Sequence, residues 1–262
     1  MDTRSIGMFD SGIGGLTVLK EVKRLLPNEE IIYLGDTKRF PYGSKSRESI
    51  IEASRNCVKY LIEKNVKLIV IACGTATSQS LEVLKKEFNL PIIGIIEPTV
   101  DYLQKNIRSK ELIGVIATQG TIRSNAWEEK ILEMLPNVEV KSEETPLLAT
   151  MAEQGWTNNK VAKYTIKEYM KCFKKINRLI LGCTHYPLFE LLIKKELSKK
   201  VDIINTGEKV ADYLKEYLKN NEIENDSIEK GFKIYLTDKE TNFSYVASKL
   251  LEQKVEIQEA NY

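Results

Sequence analysis

Leu68-Ile69-Val70-Ile71-Ala72-Cys73-Gly74-Thr75 runs from five apolar residues straight into a cysteine, a glycine and a threonine. Leu179-Ile180-Leu181-Gly182-Cys183-Thr184 repeats the pattern, with its cysteine 110 residues further on. Each run has the length and the turn-forming flank of a buried strand, and each is followed by residues with helical spacing of apolar side chains. A residue that ends a strand and precedes a helix lies at the carboxyl edge of an open α/β sheet, where ligands bind.

Outward from these two runs the same alternation covers the chain. Strands are expected at 5–9, 31–34, 67–72, 91–96, 112–117, 178–181, 201–204 and 232–236. Helices are expected at 16–26, 47–64, 76–88, 124–135, 158–173, 188–197, 209–219 and 241–251. In the second helix Ile50, Ser54, Cys57, Val58 and Leu61 share one mainly apolar face. Strand and helix alternating this often predict an α/β protein with mainly parallel sheets. A second internal match, Ile6-Gly7 against Ile113-Gly114 at an offset of 107, points to two related α/β halves. The halves are expected at 1–97 plus 208–262, on the Cys73 side, and at 98–207, on the Cys183 side, with the two cysteines facing one cleft.

Composition excludes several classes. The chain has 262 residues, 42% apolar and 29% charged, which is ordinary for a globular protein. Lys plus Arg number 39 against 37 for Asp plus Glu, a net charge of +2, so the single-sign field of a nucleic-acid binder is missing. No apolar run reaches the ~18 residues that cross a bilayer, and the first ten residues lack the pattern of an export signal. Four cysteines without a Cys-x-x-Cys pair suggest reduced thiols in the cytoplasm rather than a disulfide framework.

A cysteine at a helix start meets unpaired N–H groups and the positive end of the helix dipole, which favour thiolate over thiol. Cys73 and Cys183 therefore read as reactive thiols, or as small core residues, the reading preferred for Cys57 and Cys172 inside helices. The single histidine, His185, lies two residues after Cys183 and either tunes that thiol or satisfies a local structural role. Asp10, in the turn Asp10-Ser11-Gly12-Ile13-Gly14-Gly15, suits a general base or an ammonium partner, or a plain helix cap. That turn has neither the dinucleotide fingerprint nor the P-loop pattern. Thr75, Thr118, Thr121 and Thr184 could cradle a carboxylate with hydroxyls and backbone N–H groups. Zinc on Cys73, Cys183, His185 and Asp10 is formally available, but close-spaced ligand pairs are lacking and no metal is expected.

Taken in order, these residues resemble the glutamate racemase family, within the cofactor-independent aspartate/glutamate racemases. The resemblance is carried by residues 9–16, Asp36 with 41–43, Ala72-Cys73 with Thr75-Ala76, 114–122, Pro146-Leu147 with Glu153 and Gly155, and 181–188. It implies two pseudo-symmetric α/β domains, no cofactor, and interconversion of L- and D-glutamate by Cys73 and Cys183 acting on opposite faces of the α-carbon. Asp10 would assist the first cysteine and His185 the second, with Glu153 a further polar residue of the site. Substrate contacts would fall on Asp10, Ser11, Tyr42, Gly43, Gly74, Thr75, Thr118, Thr121, Thr184 and His185. The product would serve bacterial peptidoglycan synthesis, and family members are often homodimers, although no interface signature is visible.

Aspartate racemase is the near rival, in which glutamate commonly stands where this chain has His185. An amino-acid binding protein without catalysis is the other. The family commonly has asparagine where this chain has Gly74, and loss of that amide is expected to weaken substrate binding by roughly 1.5–3 kcal/mol unless water or a neighbour replaces it.

Overall fold

The computed structural model describes residues 1–107, 110–225, 231–238 and 243–261. The first part of the chain runs β1 (Ile6–Asp10), α1 (Leu16–Leu25), β2 (Ile31–Gly35), α2 (Arg47–Glu63), β3 (Leu68–Ile71), α3 (Gly74–Glu87), β4 (Ile92–Gly94) and α4 (Ile96–Asn106). It continues with β5 (Leu112–Ala117), α5 (Gln119–Arg123), α6 (Ala126–Met134), β6 (Glu139–Glu144), α7 (Pro146–Glu153), α8 (Lys160–Met170), β7 (Arg178–Leu181), α9 (Glu190–Glu196) and β8 (Asp202–Asn205). The last elements are α10 (Thr206–Asn220), β9 (Phe232–Leu236), α11 (Phe243–Leu251) and β10 (Ile257–Glu259).

The strands form two sheets, ordered β10-β9-β2-β1-β3-β4 and β6-β5-β7-β8, and every pairing is parallel. The sequence β2-β1-β3-β4 has the same relative order as β6-β5-β7-β8, so the internal repeat recurs as topology. In each sheet the chain reverses direction of winding beside its first strand, between β1 and β3 and again between β5 and β7. Such a reversal opens a crevice at the carboxyl ends of the strands. β1, β2, β3 and β4 are buried at every residue, as expected of parallel strands covered on both faces.

One apolar cluster joins the two sheets. It contains Ile6, Met8 and Val70 from the first sheet, Ile113, Val115 and Ile180 from the second, and Leu16, Val100, Trp127 and Leu214 from α1, α4, α6 and α10. Separate clusters cover the other faces, with Ile50, Cys57 and Leu84 behind the six-stranded sheet and Leu148, Ile166 and Ile193 behind the four-stranded one.

All eight expected strands are present, with ends that differ by up to two residues. The run expected as a strand to residue 96 ends at Gly94 and turns into α4, whose first turn accepts Pro98. Two strands and three helices were not anticipated. β6 reads Glu-Val-Lys-Ser-Glu-Glu, a charged, partly exposed edge strand without the apolar run that marks the others. β10, α4, α5 and α7 are the others. The helix expected at 241–251 begins on residues outside the described ones and is seen over Phe243–Leu251. Among the described residues no helix is long and apolar enough to cross a membrane.

Candidate active site

The carboxyl ends of β1, β3, β5 and β7 meet at one cavity of about 150 Å³. Ser11, Tyr42, Gly43, Cys73, Gly74, Thr75, Thr118, Cys183, Thr184 and His185 all line it, so ten of the thirteen expected residues share one wall system. Asp10, Thr121 and Glu153 stand behind the lining and hold parts of it in place.

The first wall grows from β1 and β3. Asp10 ends β1 fully buried, with one oxygen accepting the Gly12 N–H at 2.9 Å and the other accepting the Thr184 hydroxyl at 3.1 Å. It does not cap α1, whose preceding residue is Gly15. Burial raises the Asp10 carboxyl above its ordinary value, opposed by His185 and the Gly12 N–H. Gly14 passes so close to the opposite wall that a Cβ there would lie 2.5 Å from His185 Nδ1. Only glycine permits that approach.

Cys73 caps α3, its sulfur accepting the Ala76 N–H at 3.4 Å and lying 3.9 Å from the Ser11 hydroxyl. The expected preference for thiolate is not met at Cys73. Burial pushes this thiol well up and the Asp10 charge pushes the same way, outweighing the helix-start N–H. A buried sulfur beside a carboxylate keeps its proton.

The second wall carries a relay. Cys183 Sγ lies 3.6 Å from His185 Nδ1, and His185 Nε2 lies 2.6 Å from Glu153 Oε1. Burial on its own would lower the imidazole, but the contacts with Cys183 and Glu153 reverse this and hold it proton-bearing well above the usual histidine range. Glu153 Oε1 also accepts the Ile13 N–H at 3.1 Å, tying α7 to the turn after β1.

Between the walls Thr75, Thr118 and Thr121 form a ring of hydroxyls, with oxygen separations of 2.8, 2.8 and 3.3 Å. Thr118 comes from the β5–α5 turn, Thr121 from α5 and Thr75 from α3, so the ring spans the cleft. Tyr42 lines the cavity, but its hydroxyl is spent on Asp36 at 2.6 Å. What it offers a ligand is its ring and its backbone.

Gly74 begins α3 against the end of β7, where a Cβ would be driven into the Gly182 carbonyl. Reading this glycine only as a lost amide is therefore incomplete, because the backbone approach here excludes any side chain.

Phe40, Gln119, Ala149 and Thr150 also line the cavity and were not anticipated. Phe40 stands in a turn legible from Pro41 and Gly43, and its ring lies 5.9 Å from the His185 ring. Ala149 and Thr150 lie on α7, which the sequence did not announce. All four cysteines are free. Among the described residues no cluster of three or more His, Cys, Asp and Glu is arranged to hold a metal. The arrangement supplies two sulfurs, each with an ionisable neighbour, and hydroxyl and N–H donors suited to carboxylates.

Known proteins resemble this chain in sequence and in fold. A glutamate racemase of Geobacter metallireducens is 39% identical over 258 residues, spanning 97% of this chain and 95% of the relative. The crystal structure of a glutamate racemase isoform from Bacillus anthracis superposes with a TM-score of 0.95 at 35% identity, covering 100% of this chain and 98% of the other. That of the Francisella tularensis glutamate racemase, in complex with D-glutamate, gives 0.92 at 35% identity with the same coverage. The Asp/Glu/hydantoin racemase family matches residues 6–214. With the family match spanning most of the chain and a relative 39% identical over 97% of it, the chain belongs to the Asp/Glu/hydantoin racemase family.

Proposed function

We propose that this protein interconverts L- and D-glutamate without a cofactor, using Cys73 and Cys183 as paired acid and base. The observation that carries the reading is that the two sulfurs line one cavity from equivalent positions, the ends of β3 and β7. Inversion at carbon needs a proton removed from one face and another delivered to the opposite face. A thiolate on one wall takes the α-proton, a thiol on the other gives one up, and the two exchange states with each turnover.

The walls are suited to these roles in different ways. Cys73 is held as a thiol by burial and Asp10, which fits it to donate. On the other wall the positive His185, balanced by Glu153, lies against the Cys183 sulfur, which fits that sulfur to take the α-proton. A substrate ammonium near Asp10 would offset that carboxylate's effect on Cys73 and let the roles reverse. Ser11, Thr75 and Thr184 are placed to hold carboxylate oxygens, and Thr118 and Thr121 support Thr75. A turnover of ~10 s⁻¹ requires a barrier near 16 kcal/mol, which such a site must reach by positioning and fixed dipoles.

We further take residues 1–97 with 208–262 as the unit bearing Cys73 and 98–207 as the unit bearing Cys183, a division supported by β9 and β10 joining the sheet of β1–β4. D-glutamate made in this way suits peptidoglycan synthesis in the cytoplasm, by a homodimer in keeping with the family resemblance. The decisive experiment is incubation with L-glutamate in heavy water without added cofactor. D-glutamate deuterated at the α-carbon is expected. Binding without exchange would leave only an amino-acid binding protein, and faster exchange from L-aspartate would change the substrate.

A further inference from the structure

Asp36 follows β2 and is fully buried, yet it lies outside the cavity lining. Its carboxylate gathers three donors: the Tyr42 hydroxyl at 2.6 Å, the Arg39 guanidinium at 2.8 Å and the Thr237 hydroxyl at 3.0 Å. Two of these are local. The third comes from the end of β9, 201 residues away and beyond residue 214, where the match to the racemase family stops.

The contact is a clamp rather than a single bond. The Thr237 oxygen also accepts the Lys38 N–H at 3.0 Å, and the Thr237 N–H donates to Gly35 O at 3.1 Å. Next to it, the Thr37 hydroxyl donates to Asp238 O at 2.7 Å and accepts the Asp238 N–H at 3.0 Å. The segment held this way leads into Phe40, Tyr42 and Gly43 of the cavity wall, and the Asp36 N–H is bonded to Asp10 O at 2.9 Å.

We infer that Thr237 is a positioning residue for the racemase site, fixing Asp36 so that Asp36 fixes Tyr42 and the wall that closes on the substrate. The inference rests on the reading of the chain as a glutamate racemase. Thr237 touches neither thiol, so its loss acts on substrate binding and leaves proton transfer between the sulfurs largely intact.

Thr237→Val keeps the shape and removes the hydroxyl. It is expected to raise KM for glutamate about tenfold, the worth of one hydrogen bond to a charged group, with kcat within about threefold of wild type. Thr237→Ser is expected to restore KM. In a Tyr42→Phe background, where the bond to Asp36 is already gone, Thr237→Val is expected to add less than about twofold. Thr237→Ala carries the same comparison if the valine variant does not fold. An unchanged KM, failure of serine to rescue, or a full effect in the Tyr42→Phe background would overturn the role. Wild-type protein in the same assay separates the two claims. Active wild type beside an unchanged valine variant overturns the role of Thr237 alone. Inactive wild type overturns the racemase reading, and the same variants compared by D-glutamate dissociation constant then decide the role of Thr237.

Discussion

His185 Nε2 and Glu153 Oε1 lie 2.6 Å apart, joining the turn after β7 to the end of α7, and the Cys183 sulfur lies on the other side of the same imidazole. Together with the Cys183 contact, the carboxylate keeps the proton on a ring that a thiol must use. Replacing Glu153 with glutamine keeps the shape and removes the charge, and turnover is expected to fall roughly a hundredfold, as when a positioned acid–base partner is lost. Steady-state racemisation followed by polarimetry checks this, and wild-type turnover in Glu153→Gln would remove Glu153 from the relay.

The same pair carries a pH signature in stability. His185 is raised in the folded state, so its ion pair adds stability at pH below the unfolded-state histidine value of about 6.5 and loses it as pH climbs through the folded-state value. The melting temperature of Glu153→Gln is therefore expected to fall furthest below wild type at about pH 5–6, where His185 is charged, and to converge with it in alkali. A gap that widens towards high pH would contradict the assignment.

The two lining cysteines and one buried elsewhere make a controlled comparison. Cys73→Ala and Cys183→Ala are each expected to lower racemisation by roughly 10³-fold or more, since either change leaves one face of the substrate without a proton carrier. Cys57→Ala, a change in the core behind the six-stranded sheet, is expected to cost stability and leave turnover near wild type. Full activity in either of the first two would end the paired-base mechanism.

Gly74 separates two accounts of one residue. If its importance were only a missing amide, Gly74→Asn would tighten glutamate binding. Because any Cβ there is driven into the Gly182 carbonyl, both Gly74→Ala and Gly74→Asn are instead expected to weaken binding and to cost about 1–3 kcal/mol of stability, as overpacking does. Titration calorimetry with D-glutamate and a urea melt distinguish the accounts.

Asp10 is a charge held where burial opposes it. Its raised carboxyl means that folding loses stability as pH rises from the unfolded-state value of about 3.8 through the folded-state one. Asp10→Asn is expected to melt a few degrees higher than wild type at pH 7, with the difference shrinking in acid, while racemisation drops. Equal melting temperatures at both pH values would show that the burial cost is met elsewhere.

The framework was legible because parallel strands buried on both faces leave apolar runs, and because both cysteines end such runs. Leu68–Ile71 and Arg178–Leu181 were visible for that reason. β6 was not, since an edge strand spelled with three glutamates pairs through its backbone and needs no apolar run. α7 was missed, and with it Ala149 and Thr150 on the cavity wall. The protonation of Cys73 was misjudged because a local rule about helix ends says nothing of how deeply the sulfur is buried, nor of a carboxylate brought in by another strand. Thr237 could not be found either, since nothing in a β9 flank signals a partner 201 residues away.

Ile113 and Ile180 share one apolar cluster with Ile6 and Met8, so the two sheets are joined by a buried interior that neither half of the chain completes alone. A fragment holding one sulfur would leave oily surface facing water, and calorimetry on the intact chain should record a single melting peak. The chemistry inherits this indivisibility: the two sulfurs share a cavity only while that joint interior holds both sheets together.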